Sequence, residues 1–215
     1  YLYDLIWRYH DAYEPVWRPT FYDFPRDERC FDDCDEMMLG PSLLIAPVVE
    51  PGVRTRTVYL PAGADWCHYW SNTFVSGGQS ITVPAPLGRT PFFVRAGSVL
   101  PINIAEQQFG RVADERAFEI LPALNDEAFA ASFFEDDGVS FDYRQRSAGH
   151  WLVNVAPSGV QLSPPAALPA HLPRSAVVIL PAADERPVDC DGGRMLSNVV
   201  ADGRRWVRFA LDGTR

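Results

Sequence analysis

Basic residues are outnumbered: 19 Lys and Arg stand against 28 Asp and Glu, a formal charge of −9. Nucleic acid and anionic membrane surfaces are recognised through basic patches, so neither is expected as a partner. No apolar run approaches the roughly 20 residues of a helical membrane span. Four cysteines, Cys30, Cys34, Cys67 and Cys190, are scattered without paired metal-ligand spacing. Free thiols in a reducing compartment are expected, hence a cytoplasmic rather than a secreted setting. The histidines His10, His68, His150 and His171 are equally dispersed, and each is read as a surface or hydrogen-bonded structural group. Also missing are the GxSxG elbow, HExxH, the P-loop and GxGxxG. Their absence removes the corresponding hydrolase, nucleotide and dinucleotide chemistries, and no cofactor is expected. The chain opens at Tyr1 without a methionine or a signal-peptide pattern, the start expected of a piece of a longer protein.

What is present is the material of short strands. A chain of 215 residues makes one large domain or two small ones. Its 15 Gly and 19 Pro supply the turns between many strands. The stretch from Pro86 to Ile102 organises the pattern. Phe92, Phe93 and Val94 read as a buried strand, Ala96-Gly97-Ser98 as a bend, and Val99 to Ile102 as a second strand. Upstream, Leu43 to Val49 is long enough to pair with the first.

Taken in order, Leu2, Leu5, Ile6, Tyr9 and Tyr13 recur at helical spacing, and Glu14-Pro15 ends that helix. Val16 to Phe24 reads as a strand with apolar groups on both faces. Arg26 to Glu36 is an acidic loop whose Asp32 or Asp33 caps a short helix reaching Leu39. Arg54 to Leu60, Trp66 to Trp70 and Ser80 to Val83 follow as strands of a sandwich. Residues 105–116 are polar and weakly patterned. Beyond them Ala117 to Pro122, Ala128 to Phe134, Val139 to Tyr143, Trp151 to Val155, Ala176 to Leu180 and Trp206 to Leu211 read as strands. Glu135-Asp136-Asp137-Gly138 is a hairpin turn, and Ser158 to Arg174 is a surface excursion.

Three motifs carry a resemblance: Met38 to Val48 (MLGPSLLIAPV), Val58-Tyr59-Leu60-Pro61, and Phe93 to Ser98 (FVRAGS). In their order and spacing they resemble family 31 of the glycoside hydrolases, which holds α-glucosidases and α-xylosidases. Tyr9-His10 through Phe24-Pro25 resembles the last helix–strand step of that family's catalytic (β/α)8 barrel. Phe134 to Gly138, with Ser140 and Tyr143, resembles its distal C-terminal domain. The resemblance implies a mainly β chain: residues 1–29 as a helix–strand remnant of the barrel, 30–104 as a proximal β-sandwich, 105–116 as a linker, and 117–215 as a distal β-sandwich. It implies further that this is the C-terminal scaffold of a retaining α-glycosidase acting on α-linked glucose or xylose. The partners are then the parent's carbohydrate substrate and the missing barrel, with homo-association through 1–29 a further route.

Retaining glycosidases need two carboxylates roughly 5 to 5.5 Å apart. The family's nucleophile motif is not found: Trp66, Trp70 and Trp151 have no aspartate two residues on. No catalytic residue is assigned, and this chain alone is expected to be inactive. Asp23 stands at the end of the barrel-like strand, where such barrels place their sites, but it is read first as a structural carboxylate. Arg18 is expected in a buried ion pair, and Arg95 in a structural salt bridge. Trp66 and Trp70 are the candidates for stacking on a sugar in the alternative reading, a non-catalytic carbohydrate-binding or interaction module. Solvent exposure of two coplanar aromatics favours binding, and burial of both favours scaffold. Glu135, Asp136 and Asp137 are weak metal candidates set against ordinary turn chemistry.

Overall fold

Alternating apolar residues need a second apolar layer to close against, and in this chain two separate cores do so. The computed structural model describes residues 1–32, 34–104, 115–125, 127–136, 140–141, 143, 149–165 and 174–211. They divide into two compact units, Arg8–Ser98 and Tyr1–Trp7 with Val99–Arg215.

The first unit begins within helix α1 (Leu2–Ala12), followed by β1 (Trp17–Arg18), the single helical turn α2 (Thr20–Asp23) and β2 (Met37–Leu39). Strands β3 (Leu43–Ile45), β4 (Thr55–Leu60), β5 (Asp65–His68), β6 (Thr73–Ser76), β7 (Gln79–Pro84) and β8 (Phe92–Arg95) complete it. Six of them form a sheet in the order β1-β2-β3-β8-β5-β6, while β4 and β7 pair separately. Met38, Leu44, Trp66 and Phe93 of the large sheet close on Val58, Leu60 and Val83 of the small one. The two apolar runs singled out in the sequence pair directly, Leu43 with Val94 and Ile45 with Phe92.

Residues 16–24 differ from expectation. Only Trp17 and Arg18 are strand, and they run antiparallel to β2, Trp17 opposite Leu39. A strand of a (β/α)8 barrel pairs in parallel with its neighbours, so this one belongs to the sandwich. Pro19 presets the N-cap of α2 in extended geometry, and Phe24 is buried against Trp66 at 5.6 Å. The acidic loop also differs. Asp27 rather than Asp32 or Asp33 caps a 3-10 turn over Glu28–Phe31, and Met37–Leu39 is strand, not helix; Asp33 lies outside the described residues.

Asp27 is the hub of this segment. Its carboxylate accepts from Ala62 N at 2.7 Å, the Tyr59 hydroxyl at 2.8 Å and Arg29 N at 3.2 Å. Burial pushes its pKa up, yet these three donors outweigh burial and hold it below the usual carboxylate value.

Gly97, at φ 74°, turns the chain out of β8 and into β9 (Ser98–Ile102). Only glycine occupies that left-handed region without a Cβ penalty. The two compact units divide at this bend; of the expected linker 105–116, residues 105–114 lie outside the described residues.

The second unit contains β10 (Arg116–Leu121), β11 (Phe129–Glu135), β12 (Gly149–Ala156), β13 (Gly159–Ser163), β14 (Ser175–Pro181), β15 (Val188–Cys190), β16 (Gly193–Ala201) and β17 (Arg204–Leu211). Two sheets result, β16-β17-β14-β10-β9 and β11-β12-β13-β15. Phe118, Val178 and Phe209 of one meet Phe133, Trp151 and Leu162 of the other. Strand β14 is buried along Ala176–Leu180 on both faces, as its unbroken apolar run requires. The expected strand 139–143 is not there among the described residues, Ser140 and Phe141 being bends; β11 takes β12 as its antiparallel partner instead. The expected excursion from Ser158 contains β13, which pairs with β12 and runs parallel to β15. Residues 166–173, and Asp137 and Gly138 of the expected turn, lie outside the described residues.

Helix α1 is tied to the edge of a sheet. Its Asp4 and Leu5 are buried. The Asp4 carboxylate accepts the Phe134 N–H at 3.0 Å on edge strand β11, and Trp7 stacks on Phe134 at 3.9 Å. An exposed strand edge is thereby closed by a side chain. Charge pairing throughout uses arginine, because all 19 basic residues are Arg and none is Lys. The guanidinium fork of Arg116 holds both oxygens of Glu135, at 2.7 and 2.9 Å, and Glu135 also accepts from buried Trp151 Nε1 at 2.9 Å.

Two stability effects are expected. Asp27→Ala should lower unfolding free energy at pH 7 by about 1–2 kcal/mol, since it strips three donors of one charged acceptor. Because the folded-state pKa is depressed, that difference should persist above pH 3.8 and shrink as pH falls through the folded value; urea melts across pH measure it. Glu135→Ala should cost the second unit about 2–3 kcal/mol, below the full penalty for breaking a buried pair because Arg116 keeps partial solvent access. Chemical denaturation followed by Trp fluorescence reads it.

Candidate functional site

The β5–β6 hairpin turns through Tyr69–Asn72, with Asn72 at φ 53° in the left-handed region that Asn tolerates. Pairing of β5 with β8 continues into Tyr69 N donating to Phe92 O at 3.2 Å. It therefore brings this turn beside the Pro86–Thr90 segment. Trp70 is fixed there. Its Nε1 donates to Thr90 O at 2.8 Å, its ring meets Phe92 at 5.3 Å and 77°, and the Arg89 guanidinium lies 5.5 Å from its centroid. The indole is nevertheless 42% exposed.

A cavity of about 340 Å³ adjoins it, with His68, Trp70, Ser71, Thr73 and Arg89 in its wall. Val75, Ile81 and Val83 supply apolar lining. His68 is only 7% exposed. Its Nδ1 lies 2.7 Å from Ser71 Oγ, and Ser71 Oγ in turn donates to Thr73 Oγ1 at 2.9 Å. With the Ser71 proton directed at Thr73, Ser71 accepts from Nδ1–H, and Nε2 keeps a lone pair. That Nε2 is buried and has no hydrogen-bond partner among the described residues. Burial lowers the His68 pKa below 6.5, so the imidazole is neutral at pH 7. Among the described residues the lining includes no carboxylate, and glycoside hydrolysis needs two.

The candidates named from sequence are dispersed. Trp66 is fully buried in the first core, donating Nε1 to Pro61 O at 3.1 Å, so it has no face for a sugar. Asp23 lies 2.9 Å from Arg18 Nε, an ion pair in which the N–H does not point along the contact. Burial raises the Asp23 pKa against the pull of Arg18 and Arg95. Arg95 sets its guanidinium 5.3 Å from the Phe24 ring centroid, a cation–π contact in place of the expected salt bridge. Glu135 is engaged by Arg116 and Trp151, and Asp136 accepts from the Tyr3 hydroxyl at 2.5 Å. Among the described residues no group of three metal-ligating side chains is assembled. Sequence reading passed over His68 and Arg89. They lie 21 residues apart and meet only through strand pairing, so no local spacing marks them.

Comparison with known proteins follows this geometry. Residues 13–100 match the family described as the glycosyl hydrolase family 31 C-terminal domain. Alpha-glucosidase 2 of Bacillus thermoamyloliquefaciens is 31% identical over 145 residues, covering 67% of this chain and 18% of that protein. The alpha-xylosidase of Saccharolobus solfataricus is 32% identical over 150 residues, covering 67% and 20%. Among solved structures, the GH31 dextranase of Flavobacterium johnsoniae in complex with isomaltotriose superimposes with a TM-score of 0.80 at 26% identity, over 100% of this chain and 30% of that one. The chain thus spans a fifth or less of these two curated relatives. Motifs, sandwich architecture and alignment agree, and the chain belongs to glycoside hydrolase family 31, of which it carries the C-terminal region.

Proposed function

We propose that this chain is the C-terminal scaffold of a retaining α-glycosidase hydrolysing α-linked glucose or xylose in carbohydrates, with both catalytic carboxylates carried outside these 215 residues. The observation that carries the reading is the aromatic surface of residues 9–31. Tyr9, Tyr13, Trp17, Phe21, Tyr22 and Phe31 are all exposed, Tyr13 to 84%, and Phe21 stacks on Phe31 at 5.1 Å. Leaving such area in water costs roughly 25 cal/mol per Å², and a patch of this kind marks an interface. Its partner is the catalytic barrel of the same enzyme, for which there is room: the chain spans a fifth or less of the two curated relatives. Asp23, held beside Arg18, serves the scaffold and not the chemistry.

The purified chain should show no turnover of aryl α-glucosides or α-xylosides, while the full-length enzyme should hydrolyse one of them with retention. Turnover by the chain alone, abolished by Asp23→Asn, would overturn the assignment. In isolation the same patch should drive self-association, visible by light scattering over a dilution series. Cutting the chain after Phe31 would also remove Phe24 and Asp27 from the fold, so the informative variant is Trp17→Ser with Phe21→Ser, both at exposed positions. It should stay monomeric, and the same pair should lower the Tm of the full-length enzyme; a wild-type chain that remains monomeric at high concentration counts against the interface.

A further inference from the structure

The cavity beside Trp70 shares no residue with the exposed aromatic surface of residues 9–31, and the chemistry of its wall is one-sided. The indole is exposed yet immobilised, with Nε1 committed to Thr90 O and the ring wedged against Phe92. Val75, Ile81 and Val83 supply aliphatic lining. The hydroxyls and the imidazole of the wall are engaged with one another. Ser71 Oγ lies 2.7 Å from His68 Nδ1 and donates to Thr73 Oγ1 at 2.9 Å, Thr73 Oγ1 donates to Ser71 O at 3.4 Å, and His68 Nε2 is buried. Arg89 is the exception. It is exposed, it carries the only charge among the described lining residues, and no ion pair of the described residues includes it. Its guanidinium lies 5.5 Å from the Trp70 ring centroid. The wall therefore combines apolar surface, one fixed aromatic ring and a fork of N–H donors that no lining carboxylate receives.

We propose that this cavity binds a small aromatic carboxylate, its planar ring against Trp70 and the aliphatic wall and its carboxylate on Arg89. The guanidinium fork donates to both oxygens of a carboxylate, a match that a neutral hydroxyl does not offer. Because guanidinium and indole are already neighbours, an anion held on Arg89 brings the group attached to it alongside Trp70. Aromatic pairs in offset or edge-on contact gain beyond the area they bury, so a planar ring uses Trp70 better than an alkyl group does. The volume, about 340 Å³, lies at the lower end of small-ligand sites and suits a compact acid. A polyhydroxylated ligand finds little to bond, because the hydroxyls of the wall are satisfied within the protein. The overall charge of −9 opposes anions at long range. At physiological ionic strength that field is screened beyond about 8 Å, whereas direct contact with Arg89 is not.

The test titrates the whole 215-residue chain with cinnamate, with its neutral counterpart cinnamamide, and with cyclohexanecarboxylate, an anion lacking an aromatic plane. Calorimetry and saturation-transfer NMR at about 0.15 M salt read the binding. Cinnamate should bind with Kd about 1 mM, the affinity that modest efficiency per atom gives a molecule of that size. Cinnamamide and cyclohexanecarboxylate should each bind about fivefold more weakly. Arg89→Gln, at an exposed position, should weaken cinnamate about fivefold and leave cinnamamide unchanged. Trp70→Ala should weaken both aromatic ligands, and the far-UV circular dichroism of both variants should match that of the parent chain. Trp17→Ser with Phe21→Ser should leave every affinity unchanged, which separates the cavity from the aromatic surface of residues 9–31. No binding at about 10 mM cinnamate, equal affinity for cinnamate and either control, or cinnamate binding that survives Arg89→Gln or Trp70→Ala in a folded chain would overturn the site, as would loss of binding in the Trp17→Ser, Phe21→Ser variant. None of these results bears on turnover by the full-length enzyme, so the two assignments stand or fall separately.

Discussion

Strand β8 is hydrogen-bonded on both sides, to Leu43–Ile45 and to Asp65–His68, and the first unit depends on that double pairing. Phe93 enters the core opposite Leu44 and His68, while Phe92 and Arg95 close the strand's ends. Register is forced, because a one-residue slip would turn Phe93 outward and leave Trp66 without its neighbours. The same pairing carries the 69–72 turn beside the 86–90 segment. The cavity wall is thus a by-product of core register, made of residues that have no reason to be near one another in sequence. At the far end of the strand Gly97 redirects the chain, so a single stretch of eleven residues, 92–102, supplies strands to both units.

Legibility in the sequence followed how local the determining physics was. Strands with an unbroken or alternating apolar pattern, such as Phe92–Arg95, Ser175–Pro181 and Arg204–Leu211, could be read directly, because burial of one or both faces writes itself into the composition. The family motifs lie in the same segments. Residues 16–24 were harder. Their two-faced apolar pattern fits a buried barrel strand, but it arises from one pair of strand residues, one turn of helix and Phe24 entering a different core. Asp27 was hidden for a related reason. Its three donors come from positions 29, 59 and 62, and only the fold shows that one acid among six in the loop is a hub. Strand β16 was missed because nearly all its residues are exposed, so burial left no period to detect.

The candidate site divides in the same way. An exposed aromatic near the surface was visible as a type of residue, and Trp70 fits it while Trp66 does not. The distinction rests on place: Trp66 lies within β5 and enters the core, whereas Trp70 lies in the turn beyond the strand. His68 looked like one of four scattered histidines, and only its Ser71 partner and burial set it apart. Carboxylates that looked available from sequence are committed: Asp23 to Arg18, and Glu135 to Arg116 and Trp151.

The exclusive use of arginine in these ion pairs reaches beyond stability. No side chain in the 215 residues carries a primary amine, so acylating reagents, amine cross-linkers and lysine-directed enzymatic tagging find no side-chain target on either unit. Tryptic cleavage is confined to arginines, several of which, including Arg18, Arg116 and Arg204, are held by carboxylates. Covalent mapping of this region therefore has to use chemistry other than amine labelling, for instance through carboxylates or through the exposed thiol of Cys34.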